Sequence, residues 1–281
     1  MHKHIVAFFS PAGTTRRIAQ IIQDRLIRNN CDAVLIDLGR NEQLPQEQVP
    51  YIRQNACCLW IGSPVYCDHA VPLVHAFIDR LPAPASRCDA VPFVTWGGVT
   101  SGLALLKMAR HLQEKGYTPL GAAKVLAVHS STWSAARPLA AGHPNQDDLA
   151  QIQDLVDHVV AALNRPPAPV LALDRLDYLS PALRADAATK SLAAAKAAMP
   201  PLAADEERCL QCGDCAEGCP VAAITLHPFP AIDRAACVLC LQCVRNCPQQ
   251  AFPFNGEQLA ARIADMAAKS DEDKATEIFC P

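Results

Sequence analysis

Eight of the fourteen cysteines of this chain fall in two consecutive runs, and no other feature narrows its structure so far. Cys209-x2-Cys212-x2-Cys215-x3-Cys219-Pro220 is followed by Cys237-x2-Cys240-x2-Cys243-x3-Cys247-Pro248. Each run has the C-x2-C-x2-C-x3-C-P spacing that holds iron–sulfur cubes. Three thiolates at x2 spacing wrap three irons of one cube from a single tight turn, and the fourth iron takes its ligand from elsewhere. Two such runs in one short segment predict a pair of 4Fe-4S clusters. Structural zinc is the alternative. Its sites close one tetrahedron with paired CxxC units, and eight cysteines ending in x3-C-P fit that pattern poorly.

The segment from about Asp205 to Phe254 resembles the two-cluster bacterial ferredoxins, which implies a small α+β domain. In that family the last cysteine of each run serves the other cluster. The resemblance therefore implies Cys209, Cys212, Cys215 and Cys247 around one cluster, and Cys237, Cys240, Cys243 and Cys219 around the other. Leu210, Val221, Ile224, Val238 and Phe252 are expected to wall off water from the cubes. The runs differ at one place: Gly213 follows the second cysteine of the first, and Leu241 follows that of the second. A bulkier residue there shields its cluster or alters a backbone N–H to sulfur contact, so two different potentials are expected.

With 281 residues the chain is long enough for two domains, and 51% hydrophobic residues with a net charge of −3 suit a soluble globular protein. No basic run or basic–aromatic patch suggests nucleic acid. No stretch is long enough to cross a bilayer. The start, Met1 to Phe9, has too short an apolar core for a signal peptide. A cytoplasmic protein is expected, with no membrane partner. Cys57 and Cys58 lie in an apolar run and read as small buried residues, whereas Cys31, Cys88 and Cys280 are isolated.

The N-terminal half carries a different pattern. His4–Phe9 reads as a buried strand, Ser10-Pro11-Ala12-Gly13-Thr14-Thr15 as a loop, and Ile18, Ile21, Ile22 and Leu26 as one face of a helix. Strand, small-residue loop and helix together hold a phosphate, because backbone N–H groups and the positive helix end face the anion. The loop is neither a Walker A nor a GxGxxG motif; a plain turn with a Thr cap is the alternative. Further strands are expected at Ala33–Leu38, Ala56–Ile61, Val91–Trp96 and Ala123–Val128, with helices near 70–81, 102–115 and 146–163. Such alternation implies a parallel sheet with helices on both faces. Its ligand then lies off the carboxyl ends of the strands, where the strand order reverses.

Residues 4–163 resemble a flavodoxin, which implies an α/β, doubly wound, five-stranded parallel sheet of order 2-1-3-4-5 that binds FMN. The flavodoxin phosphate loop S/T-x-T-G-x-T is matched by Ser10, Pro11, Ala12, Gly13, Thr14 and Thr15, except that Ala12 replaces the middle threonine. Ser63, Pro64, Val65 and Tyr66, following Gly62, resemble the second flavin loop, where an aromatic stacks on the ring system. Trp96, Gly97 and Gly98 resemble the third, where backbone approaches the flavin's pyrimidine edge. Core or rim packing is the alternative for both aromatics. Trp133 offers a further cover for the ring, and Cys67 and His69 adjoin the stacking loop.

The expected division is a flavodoxin-like domain at 1–164, a Pro/Ala-rich linker at 165–204 with a helix near 181–198, the ferredoxin domain at 205–254, and a C-terminal helix and tail at 255–281. Asp271-Glu272-Asp273-Lys274 is expected to be solvated. The combination resembles the flavodoxin–ferredoxin fusion proteins of anaerobic bacteria and archaea, which implies electron transport with a separate redox protein as partner. No acid–base constellation or second nucleotide motif stands out, so a carrier is favoured over a substrate-converting oxidoreductase. Two alternatives stay open: a flavin-dependent reductase of a small molecule such as a quinone, and a ferredoxin with a flavin-free docking domain. A homo-oligomer is left open. Acidic residues outnumber basic ones around the clusters, which suits a partner with a basic face.

Overall fold

A computed structural model describes residues 3–39, 52, 57–165 and 167–281. Ala56 of the third expected strand and Pro166 of the linker lie outside the described residues.

The chain opens with β1 (Lys3–Phe8), α1 (Thr14–Arg28) and β2 (Asp32–Asp37). There follow β3 (Cys57–Tyr66), the short β4 (His69–Ala70), α2 (Pro72–Arg80), β5 (Cys88–Trp96) and α3 (Ala104–Glu114). β6 (Thr118–Pro119), β7 (Ala122–Leu126) and α4 (Gln146–Leu163) complete the first half. The five main strands pair in parallel in the order β2-β1-β3-β5-β7. Counted along the chain, that is the order 2-1-3-4-5, with its reversal between β1 and β3.

Alternation along the strands creates two cores. Ile5, Ala7 and Phe9 pack with Val74 and Phe77 of α2 and Leu105 and Met108 of α3 on one face. Val6 and Phe8 pack with Ile18 and Ile22 of α1 and Ile152 and Val156 of α4 on the other. Strands buried on both faces read as continuous apolar runs. α4 starts at a capping box, in which the Asn145 side chain accepts from the Asp148 N–H and Asp148 accepts from the Asn145 N–H.

Several local expectations are corrected. β3 does not end at Ile61. Ser63 and Pro64 stay in register with Val94 and Thr95 of β5, and a hairpin with β4 carries the strand to Tyr66. The linker helix is two helices, α5 (Pro181–Thr189) and α6 (Leu192–Ala198), because the Ser191 side chain caps a new start. The break directs Lys190 Nζ to Asp68, 2.7 Å away, and lets His69 Nε2 meet the Ala187 and Lys190 carbonyls. Cys57 and Cys88 are opposite one another in the β3–β5 register and form a disulfide.

The ferredoxin-like segment holds α7 (Asp214–Glu217), the antiparallel pair β8 (Ile224–Leu226) and β9 (Pro230–Ile232), and α8 (Gln242–Asn246). α9 (Gly256–Lys269) follows. The chain then returns to the first half: β10 (Glu277–Phe279) pairs antiparallel with β7 at the sheet edge. Of the expected solvated stretch, Asp271, Asp273 and Lys274 are exposed and Glu272 is the exception. The Glu272 side chain is 4% exposed, accepts from the Ser101 N–H at 2.7 Å and is 3.1 Å from the buried Lys124 ammonium. Lys124 sits in mid-sheet and needs a counter-charge, which the distant chain end supplies.

A candidate flavin cavity beside two cysteine cages

The loops leaving β1, β3, β5 and β7 converge on a cavity of about 220 Å³. Of the residues expected to hold FMN, the structure brings Ser10, Pro11, Ala12, Thr14, Thr15, Pro64, Val65, Tyr66, Trp96 and Gly97 to its wall. Gly13 lines an adjoining polar cavity that shares Ser10, Pro11 and Ala12. Ser63 and Gly98 line neither. Ser63 is fully buried, accepting from the Val71 N–H and donating to the Pro64 carbonyl, so it shapes the β3–β4 hairpin. Gly98 turns the chain at φ +78° against Leu139 and Ala140.

The phosphate loop fits an anion on two counts. α1 is capped by Gly13 at φ +87° with no side-chain acceptor, so the cap residue itself fills none of its first N–H groups. Its first turn contains no acid and begins Thr14-Thr15-Arg16-Arg17. A helix start with basic and no acidic residues is poised for an anion. Ser10 Oγ, for its part, accepts from the Arg16 N–H at 3.0 Å and fixes the loop. Thr15 Oγ1 is 2.8 Å from Thr95 Oγ1, tying the loop to β5.

Aromatic and aliphatic side chains line the other end of the cavity. Tyr66 is half-buried, and burial pushes its hydroxyl well above the ordinary tyrosine range. Trp96 is only 1% exposed, and its indole N–H has no hydrogen-bond partner among the described residues. A buried orphan donor in the cavity wall is what a bound acceptor would satisfy. A Cβ at Gly97 would meet the His129 ring at 2.5 Å, so only glycine allows the backbone to pass there. His129 itself was missed in the sequence, although it directly follows the fifth strand. Burial lowers its pKa to about 4, and its Nδ1 accepts from the Ser131 N–H, so a neutral ring carries its proton on Nε2. Cys67 also lines the cavity. Trp133 does not; it stacks on Phe254 with centroids 6.0 Å apart.

The eight cysteines of the two runs divide between two small cavities. Cys209, Cys212, Cys215 and Cys247 rim one. Cys219, Cys237, Cys240 and Cys243 rim the other. Among the described residues, no three His, Cys, Asp or Glu side chains converge closely enough for a single metal ion. Each group of four surrounds a space instead, as ligands of a multi-iron cube do. Matching N–H to sulfur bonds run from Ala223 to Cys219 at 3.2 Å and from Ala251 to Cys247 at 3.3 Å. Surroundings differ. Burial pushes the Cys240 and Cys243 thiols up to about 12, whereas Cys212 is exposed.

The two kinds of site share a wall. Val238, Leu239 and Leu241 line both the sheet-end cavity and the second cysteine cavity. The rest of the roof comes from Leu192, Ala195 and Met199 at α6 and from Leu259 and Ile263 of α9. Gln242 Nε2 donates to the Pro11 carbonyl at 2.6 Å, joining the second run to the phosphate loop. Arg234 donates to the Lys196 and Met199 carbonyls, and Lys196 donates to Ala235 O, fastening α6 to the cysteine domain.

Residues 208–251 match the 4Fe-4S dicluster domain family. A comparison with curated proteins finds no match for this chain. Among solved structures, an archaeal flavodoxin is 17% identical, covering 58% of this chain and 99% of its own, with a TM-score of 0.44. An apo NADH:FMN oxidoreductase is 21% identical over 60% of this chain and 94% of its own, with a TM-score of 0.43. Flavodoxin 1 from Bacillus cereus is 17% identical over 57% of this chain and 97% of its own, also at 0.43. No helix among the described residues is long and apolar enough to cross a membrane.

Proposed function

We propose that this chain is an electron-transfer protein in which FMN at the sheet ends and two 4Fe-4S clusters form one relay serving a separate redox protein. The observation that carries the reading is the shared wall of Val238, Leu239 and Leu241 between the flavin cavity and the second cysteine cavity. When bound, a flavin stores one or two electrons and each cluster exchanges one.

The chain's own residues set the conditions. The Ser10–Thr15 loop and the start of α1 hold the phosphate. The aliphatic roof keeps water from the ring. Trp96 and His129 offer N–H donors at the cavity wall. Cys219 and Cys247 each cross to the other run, so each cage draws its ligands from both runs.

The shared wall supports one order of sites. The Cys219/Cys237/Cys240/Cys243 cage is proximal to the flavin cavity and the Cys209/Cys212/Cys215/Cys247 cage is distal. Beside the distal cage Leu210 is 67% exposed, with exposed Glu206, Glu207, Asp214 and Glu217 nearby in the chain. A partner with a basic face docks there in this reading. The wall shared with the second cysteine cavity favours the relay over a reductase acting on a small molecule.

Anaerobically purified protein is expected to contain about eight irons and eight sulfides per chain and to release FMN on denaturation. Four irons would remove one cluster from the account. FAD, or no flavin after reconstitution with FMN, would remove the flavin.

A further inference from the structure

The second cysteine run has features that ligating iron does not require. Leu239 and Leu241 flank Cys240, and both are in the left-handed backbone region, at φ +57° and +60°. A leucine pays a steric cost there that glycine avoids, and the first run has Gly213 at the position of Leu241. Leu241 is nevertheless 4% exposed, with its side chain against the flavin cavity. Its neighbour Gln242 reaches the phosphate loop at Pro11 O. Cage geometry thus puts two leucines on the wall of the cavity and an amide on the phosphate loop.

We propose that the Val238–Gln242 turn is part of the flavin site itself, a lid held in place by the second cluster, so that flavin retention depends on that cluster being assembled. The inference rests on the flavin reading above. Its physical basis is linkage. Without iron, Cys237, Cys240 and Cys243 have no common centre to hold the turn in its left-handed conformation. Leu239 and Leu241 then relax away from the cavity, and water gains the ring. Coupling of this kind is reciprocal, so bound FMN also slows loss of iron from the proximal cage. The distal cage shares no wall with the flavin cavity and carries no such coupling.

The test uses the full chain loaded with FMN and both clusters. Leu241→Gly relieves the backbone strain while removing the lid, so the cage is retained. In the fraction of the variant that holds both clusters, FMN dissociation, followed by the fluorescence of released flavin, is expected to speed up by about tenfold. In the wild-type protein, stripping iron with a chelator is expected to release flavin in step with iron from the proximal cage. Prior saturation with FMN is expected to slow that iron loss. Flavin held as firmly in Leu241→Gly as in wild type, or retained after all iron is gone, would overturn the lid while leaving the flavin site standing. Should wild-type protein take up no FMN at all, the flavin reading falls and the lid with it.

Discussion

The two cysteine runs have one spacing and one turn geometry, yet opposite surroundings. In the first, Gln211 and Gly213 occupy left-handed positions, Cys212 and Asp214 are exposed, and Leu210 projects into solvent. In the second, Leu239 and Leu241 occupy the equivalent positions, while Val238, Leu241 and Gln242 are buried at 6%, 4% and 9% exposure. A ferredoxin alone gives no reason to place leucine where glycine is easier. The left-handed conformation costs a leucine about 1–2 kcal/mol, and burying its side chain returns about 1.5–3 kcal/mol. The balance favours leucine only where something covers it. In the proposed relay the first run is left to meet a partner, and the second lines the flavin cavity.

The largest expected effect comes from removing one ligand of each cage. Cys243→Ala and Cys215→Ala should each lower iron from about eight to about four per chain. Only Cys243→Ala should also release flavin. Equal flavin loss from both variants would erase the distinction between proximal and distal cages.

An intermediate effect is expected from exchanging the residues that differ. Gly213 sits at φ +87°, and an added Cβ would find ordinary contact with Leu226 at 3.5 Å, so space is not the obstacle. Gly213→Leu should therefore destabilise by the backbone term alone, about 1–2 kcal/mol, in anaerobic denaturant unfolding. Unchanged stability would mean that the first run also has a cover.

The smallest effect is at the next position. Gln242→Ala removes the bond to Pro11 and should cost roughly 1 kcal/mol, with weaker FMN binding. Asp214→Ala at the exposed equivalent should stay within about 0.5 kcal/mol. Titration of FMN into each apo-flavin variant checks the pair.

Much of this was legible in the sequence because its causes are local. The x2 spacing of the cysteines, the apolar strands and the small-residue loop after β1 are short-range signals. Gly213 against Leu241 was visible as a difference, but its meaning depends on what packs over residue 241. The charged stretch 271–274 reads as solvated because the partner of Glu272 is Lys124, 148 residues away in sequence. Ser63 reads as a flavin contact until β4 pairs with β3 and draws its hydroxyl to the Val71 N–H. Trp133 stands near the fifth strand in sequence but finds Phe254 first. In each case a contact between remote segments decided the role.

The central claim is that the flavin cavity and the proximal cage are neighbours across one aliphatic wall. Rapid mixing of the oxidised, fully loaded protein with a one-electron donor tests it most directly. The account predicts a first-order change in flavin absorbance that follows reduction of the clusters and whose rate is independent of protein and donor concentration. A flavin change that precedes reduction of the clusters, or whose rate scales with donor concentration, would contradict it.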